Sequence, residues 1–302
     1  MRIFVTGATG FIGSAVVPEL LGAGHHVVGL ARSDAAARAL AAVGVEVQHG
    51  ALDDTDSLRA GVAKADGVIH LAFNHDFSRF AESARVEQRA IEALGAALEG
   101  SERPLTIASG VLGLAPGRVV TEEDQPNFDA PTSPRAAGMK TALSFAERGV
   151  RVSLVRLAPS VHGRGDHGFV ARLVDIAREK GVSGHIADGV NRWPAVHRLD
   201  AARLFRLALE KAPAGSSLHA VADEGVPIRD IAAVIGRHLG LPVTSIAPED
   251  APDHFGWLAG PLALDAPASS AITRKLLDWT QSHPGLLDDL DEGHYFASDL
   301  AA

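Results

Sequence analysis

An apolar run, RIFVT, leads into TGATGFIG, and a helix-forming stretch follows. Gly7, Gly10 and Gly13 stand at even spacing between strand and helix. That order suits a dinucleotide. The first glycine permits a tight turn, the second lets backbone approach a pyrophosphate, and the third lets the helix pack closely on the sheet. Free N–H groups at the helix start then attract the phosphates. A second strand ends in Ala31, Arg32 and Ser33. An acidic residue here would grip ribose hydroxyls, whereas an always-charged guanidinium suits a 2′-phosphate. NADP(H) is therefore expected rather than NAD(H), although Arg32 stacked on adenine would serve either.

A nicotinamide that exchanges hydride needs a partner for the proton. The chain has one tyrosine, Tyr295, and 14 histidines. Histidine titrates near neutrality and suits the task. His75 lies in AFNHDF, and His162 and His167 lie in PSVHGRGDHGF. His75 is preferred because Asp76 beside it would raise its pKa. Most histidines in such a number must be solvated or hydrogen-bonded loop residues. Tyr295, next to Phe296, reads first as an aromatic plug and second as a phenol folded over the cleft.

These residues need a frame. Apolar runs at 2–6, 26–31, 45–49, 67–72, 104–108, 152–157 and 217–221 read as strands. Helical patterns fill the gaps at 11–22, 34–42, 57–63, 80–98 and 132–148, with two more after Asp166 and Leu199. Strands such as VIHLA and VSLVRL are nearly all apolar, as strands buried on both faces are. Alternation of this kind predicts an α/β fold, a doubly wound parallel sheet of Rossmann type. From Glu224 onward the pattern turns to helices with Pro-, Gly- and Asp-rich connections, read as a smaller C-terminal substrate lobe. Residues 1–158, continued by roughly 186–222, are expected to form the dinucleotide core, with 159–185 and 223–302 forming the lobe.

Composition excludes several classes. Net charge is −9, and no basic run offers a nucleic-acid footprint. There is no cysteine, hence no disulfide, thiolate nucleophile or Cys-ligated metal. No histidine pair has zinc-helix spacing, so no metal site is expected. No stretch is long and apolar enough for a bilayer, and the first residues do not read as a secretory leader. A cytoplasmic location is the expectation.

The motif TGATGFIG, with HLA at 70–72, ASGVLG at 108–113, VRLAPSVHG at 155–163 and VHRLDAARL at 196–204, resembles the extended short-chain dehydrogenase/reductase superfamily. More narrowly, it resembles the NAD-dependent epimerase/dehydratase and 3β-hydroxysteroid dehydrogenase branch, over the chain to about residue 205. The resemblance extends the expected cofactor contacts to Thr9, Phe11, Ile12, Leu52, Leu71, Ala72 and Lys140. It also implies a Ser/Thr after the fifth strand, here Ser109 with Thr106 as alternative. A tyrosine and a lysine four residues apart are implied on the next helix. Lys140 is present, but Ala136 stands where the phenol belongs, and the neighbouring Arg135 is expected on another side of the helix. The asparagine that supports the lysine is also missing from VEQR at 86–89, and Ala51 stands where an acid often follows the third strand.

Three readings follow. The first is an NADP(H)-dependent reductase or dehydrogenase acting on a small carbonyl or alcohol, its proton supplied by a relocated acid (His75, His162 or Tyr295) or by water. The second is a non-catalytic NADP(H) sensor. The third is a sugar-nucleotide epimerase or dehydratase, which would need converging basic residues in the lobe; Arg229, Arg237, Arg274 and Lys275 are scattered along it. Expected substrate contacts are Asn74, His162, Phe169, Arg192 and Trp193, with Trp257 completing an apolar pocket. Asp200 reads as a helix-start residue. The resemblance also implies a homodimer through the fourth and fifth helices.

Overall fold

The computed structural model describes residues 1–76, 79–128 and 135–297. Its frame is a seven-stranded parallel sheet in the order β10-β6-β5-β4-β1-β2-β3. The strands are β1 (Arg2–Thr6), β2 (His26–Ala31), β3 (Glu46–His49), β4 (Gly67–His70), β5 (Pro104–Gly110), β6 (Arg151–Leu157) and β10 (Ser216–Ala220). Helices α1 (Gly13–Gly22), α2 (Asp34–Ala42), α3 (Thr55–Ala63), α4 (Phe80–Leu98), α5 (Ala136–Ser144) and α7 (Arg198–Lys211) cover it. The apolar strands are buried on both faces: Val68, Ile69, Leu105, Val152 and Leu154 are closed to solvent. One core layer joins the sheet to α1 and α7, and the other joins it to α3, α4 and α5. The strand order reverses between β1 and β4, and ligands of this fold sit at the carboxyl ends beside such a reversal.

The expected helix at 132–148 begins at Ala136 and tightens to 3₁₀ geometry over Phe145–Arg148; positions 132–134 lie outside the described residues.

The last third contains strands as well as helices, against expectation. Strand β11 (Asp223–Pro227) runs antiparallel to β9 (Arg192–His197), and β9 pairs in parallel with β7 (Ser160–His162). Strand β12 (Val243–Ile246) pairs in parallel with β8 (Ser183–Ile186). These strands are short, and β8, β11 and β12 are only partly buried, so no apolar run marks them. The segment 192–197, expected in the dinucleotide core, belongs to the small sheet, while α7 and β10 return to the large one. A separate core holds α6 (Phe169–Lys180) and α8 (Ile228–Leu239) with Trp193, Phe255 and Tyr295.

Candidate functional site

The turn after β1 has the shape that its glycines foretell. Gly7 adopts φ +71°, and a Cβ there would lie 2.7 Å from the Ala72 backbone nitrogen, so the chain leaving β4 presses on the turn. Gly13 is equally constrained, but by a different neighbour than expected. A Cβ there would collide with the Gly7 carbonyl oxygen and the Ala8 backbone, the turn itself rather than the sheet. Beside these, Thr9 and Gly10 are exposed. Helix α1 starts with no side-chain cap and no acidic residue in its first turn. The Ser14 and Ala15 N–H groups bond the Gly10 and Ile12 carbonyls, and the positive helix end beside the exposed Thr9 and Gly10 fits a pyrophosphate. Ile12 caps α1 and is half-buried, as is Phe11.

At the end of β2, Arg32 and Ser33 are both exposed. The Ser33 hydroxyl oxygen caps α2 by accepting the Ala36 N–H at 3.3 Å, which leaves its proton for a ligand. Leu52 packs partly into the core below.

The reversal itself is closed by Thr6 and His70. Their side chains are hydrogen-bonded at 2.8 Å, and the Thr6 hydroxyl also accepts the Ala72 N–H. Burial, and then the charge of Arg135, holds His70 down to about 3, so the ring is neutral. Leu71, Ala72 and Phe73 continue from β4 half-buried, and Asn74 and His75 are exposed. The Asn74 side chain accepts the Asp76 N–H at 3.2 Å. His75 stands edge-on to Phe73, with centroids 5.0 Å apart. Its pKa is lowered, by desolvation first and then by Arg135 and His167, opposite to the rise expected from Asp76.

On β5, Ser109 is buried and donates to the Met139 thioether on α5 at 2.7 Å. A thioether is a weak acceptor and yields readily to a substrate oxygen. Lys140 is exposed on the same helix. Ala136, one turn before Lys140 on the same helix, is wholly buried in the core layer shared with α4, while the longer Lys140 reaches solvent. Arg135, expected to point elsewhere, reaches the sheet. It caps α5 at a position where the helical period does not yet apply, and it donates to the Ala108 carbonyl at 3.1 Å. It also forms a two-pronged pair with Glu87, the second residue of VEQR. Burial raises the Glu87 pKa, and Arg135 only partly offsets this. Positions 87 and 135 share no motif, and the one signal in the sequence was that both departures fall on α4 and α5.

The loop 162–168 leans over the dinucleotide turn. His167 lies edge-on to Phe11 at 5.7 Å, and the Arg198 guanidinium covers the same ring at 5.0 Å. Arg198 also donates to the Arg164 carbonyl. Other expected residues are drawn into the lobe instead. His162 is fully buried and paired with Asp289 at 2.8 Å. Tyr295 is buried, donates to Asp166 at 2.9 Å and accepts the Gly163 N–H at 3.2 Å. Burial and Asp166 drive the phenol pKa far up, so it holds its proton. Trp193 is fully buried, and Arg192 is tied to Asp265 at 2.9 Å. His162, Arg192 and Trp193 lie on β7 and β9, strands of a small sheet, and Tyr295 packs into the core of the same lobe from the C-terminal segment. Phe169 contacts both Trp193 and the 45% exposed Trp257, at 5.5 and 5.7 Å, and so carries the aromatic surface outward. Asp200, at the start of α7, accepts from Ser282 and His283 and reads as structural.

The lobe's arginines do not converge. Arg229 lies by Asp230, Arg237 on Asp291, and Arg274 on the Ala222 carbonyl and Gln281. Asp289, Glu292 and His294 lie close enough together to hold an ion, but Asp289 already serves both His162 and His294. No helix among the described residues is long and apolar enough to cross a membrane.

The model of the NAD dependent epimerase/dehydratase family matches residues 3–221. The chain is 51% identical to uncharacterized protein C2A9.02 of Schizosaccharomyces pombe, over 98% of this chain and 100% of the other. It is 31% identical to the 3-diazoavenalumate denitrifying reductase of a Streptomyces species, over 96% and 99%. Among solved structures, a double mutant of the dTDP-glucose 4,6-dehydratase DesIV from Streptomyces venezuelae, with NAD and DAU bound, superposes with TM-score 0.76. It covers 99% of this chain and 98% of its own at 21% identity, a likeness of fold.

Proposed function

The chain belongs to the NAD-dependent epimerase/dehydratase family, and from that premise we propose that it is an NADP(H)-dependent oxidoreductase acting on a small carbonyl or alcohol. One observation supports this reading most: the glycine turn that follows β1 and the Ser109 hydroxyl near the end of β5 lie on one parallel sheet, with Lys140 on the helix that comes after β5. The cofactor, when bound, supplies hydride at C4 of its nicotinamide. The turn and the start of α1 hold the pyrophosphate through main-chain N–H groups. Arg32 and Ser33 meet the adenosine phosphate, which favours NADP(H) over NAD(H). Lys140 holds the nicotinamide ribose. Ser109 turns its proton from Met139 to the substrate oxygen and orients it. Phe169 and Trp257 offer an apolar wall of a kind suited to a compact, partly aromatic substrate.

The Streptomyces relative is named as a reductase, which supports the reductive direction. His75, with its lowered pKa, is unprotonated at neutral pH and fits taking a proton from an alcohol better than giving one to a carbonyl. The scattered, already-paired lobe arginines weigh against a sugar nucleotide. Buried Ala136, which removes the phenol, favours a second reading, a dinucleotide sensor without turnover. Titration of the purified protein with NADPH and NADH by nicotinamide fluorescence, followed by a panel of aldehydes, ketones and imines, separates the two. Tight NADPH binding with substrate-dependent oxidation is expected. Binding without turnover on the whole panel selects the sensor, and no binding of either dinucleotide ends both readings.

A further inference from the structure

The two departures from the family pattern meet in space. Arg135 Nε donates to Glu87 at 2.8 Å, and Nη2 donates to the other Glu87 oxygen and to the Ala108 carbonyl. A guanidinium carries five N–H donors, and these bonds use three. Among the described residues no acceptor meets Nη1. The Phe73 ring lies 4.3 Å from the Arg135 Cζ and covers one face. Carboxylate, main chain and aromatic ring thus fix the group, with one edge left over, beside the Ala108 carbonyl and one residue along β5 from Ser109.

We infer that Arg135 is a catalytic residue whose Nη1 edge donates to the reacting oxygen of the substrate, in the role that the resembled family gives to a phenol. The inference rests on the oxidoreductase reading above. Glu87 neutralises the guanidinium, so the pair offers a directed donor with little net charge. That favours a neutral carbonyl over a carboxylate anchor. Arginine does not surrender its proton. As the carbonyl carbon accepts hydride from the dihydronicotinamide, the π pair moves to oxygen. That oxygen takes a proton from water, hydroxide is released, and the nicotinamide is left oxidised. Arg135 stays protonated throughout and holds the oxygen as its charge grows. Glu87 is a positioning residue.

The test uses the whole protein with NADPH and 4-nitrobenzaldehyde, and benzamide as an unreactive carbonyl. Arg135→Lys keeps the ion pair but loses the fork, and the double variant E87Q/R135Q replaces the pair with two amides in case a single change upsets folding. Both are expected to lower kcat/KM about a hundredfold. Both are expected to weaken benzamide binding, read calorimetrically, at least tenfold, with NADPH affinity and melting temperature unchanged. Turnover by Arg135→Lys within about threefold of the wild type overturns the inference. So does a loss of turnover that comes with equal losses of NADPH affinity and thermal stability in both variants, because the pair is then structural. A wild type that binds NADPH yet reduces no aldehyde and binds no benzamide removes the oxidoreductase reading itself, and the inference with it.

Discussion

At the scale of single residues, the site is divided between groups that orient and groups that are shut away. Under the proposed function, Ser109 and Lys140 fall in the first class. Ser109→Ala should cut turnover about a hundredfold while leaving NADPH affinity within about twofold. Lys140→Met should weaken NADPH binding as well, since the proposed role of the lysine is on the cofactor. Equal turnover in both variants and the wild type would mean that the site lies elsewhere. Tyr295 falls in the second class. Removing its hydroxyl in Tyr295→Phe strips the buried Asp166 carboxylate of a donor and the Gly163 N–H of an acceptor. A loss of about 1–3 kcal/mol in urea unfolding is expected, with kcat little changed. A collapse of kcat at full stability would restore the phenol to the chemistry. This division was only partly legible in residue types: Tyr295 reads first as an aromatic plug, as its burial in the lobe core has it, whereas His162 reads as a candidate acid. The sequence marks His162 and Tyr295 as able to move protons, and only the small sheet and its core place Asp289 and Asp166 against them.

At the scale of elements, the frame was legible and the lobe less so. Strands β1, β2, β4 and β6 announce themselves as apolar runs because both of their faces are covered, and α2 and α4 match their expected limits. Strands β8 and β12 pair only with each other, β8 buries only two of its four residues and β12 buries none, so their pattern is no stronger than that of a loop. Helix α5 misled for another reason. The spacing from Ala136 to Lys140 is helical, but Ala136 is buried against the layer of α4 and offers no polar group, and Arg135 escapes the period by capping. The turn before α1 is the least tolerant element. Gly13→Ala drives a methyl group into the Gly7 carbonyl, with no flexible side chain to give way. A stability loss of about 1–3 kcal/mol and loss of NADPH binding are expected, by chemical denaturation and fluorescence titration. Unchanged binding would show that the turn is not the seat.

At the scale of the whole molecule, buried neutral histidines set the response to acid. His70 is held down to about 3, by burial and then Arg135. His197 is held to about 4, by burial and then His162, with Asp289 pulling the other way. In the unfolded chain both titrate near 6.5. Between about 4 and 6.5 the unfolded chain binds protons that the fold refuses, so stability rises with pH across that window and levels above it. Each group contributes up to ~1.4 kcal/mol per pH unit. Urea midpoints should fall from pH 7 to pH 5, less steeply in His70→Gln; midpoints that do not move would refute the assignment. A homodimer through α4 and α5 would set Glu82, Arg85, Arg89 and Glu92, the exposed charged positions of α4, against their copies. Light scattering that reads a single chain mass removes it. The bracing of loop 162–168 by Tyr295 also bears on the order of synthesis. The seven-stranded sheet is complete once β10 has left the ribosome, since all its strands lie within residues 2–220. The tyrosine that ties Gly163 and Asp166 emerges some 75 residues later (295 − 220 = 75). A nascent chain thus has its sheet, and the glycine turn before α1, well before it can fasten the loop that leans over that turn.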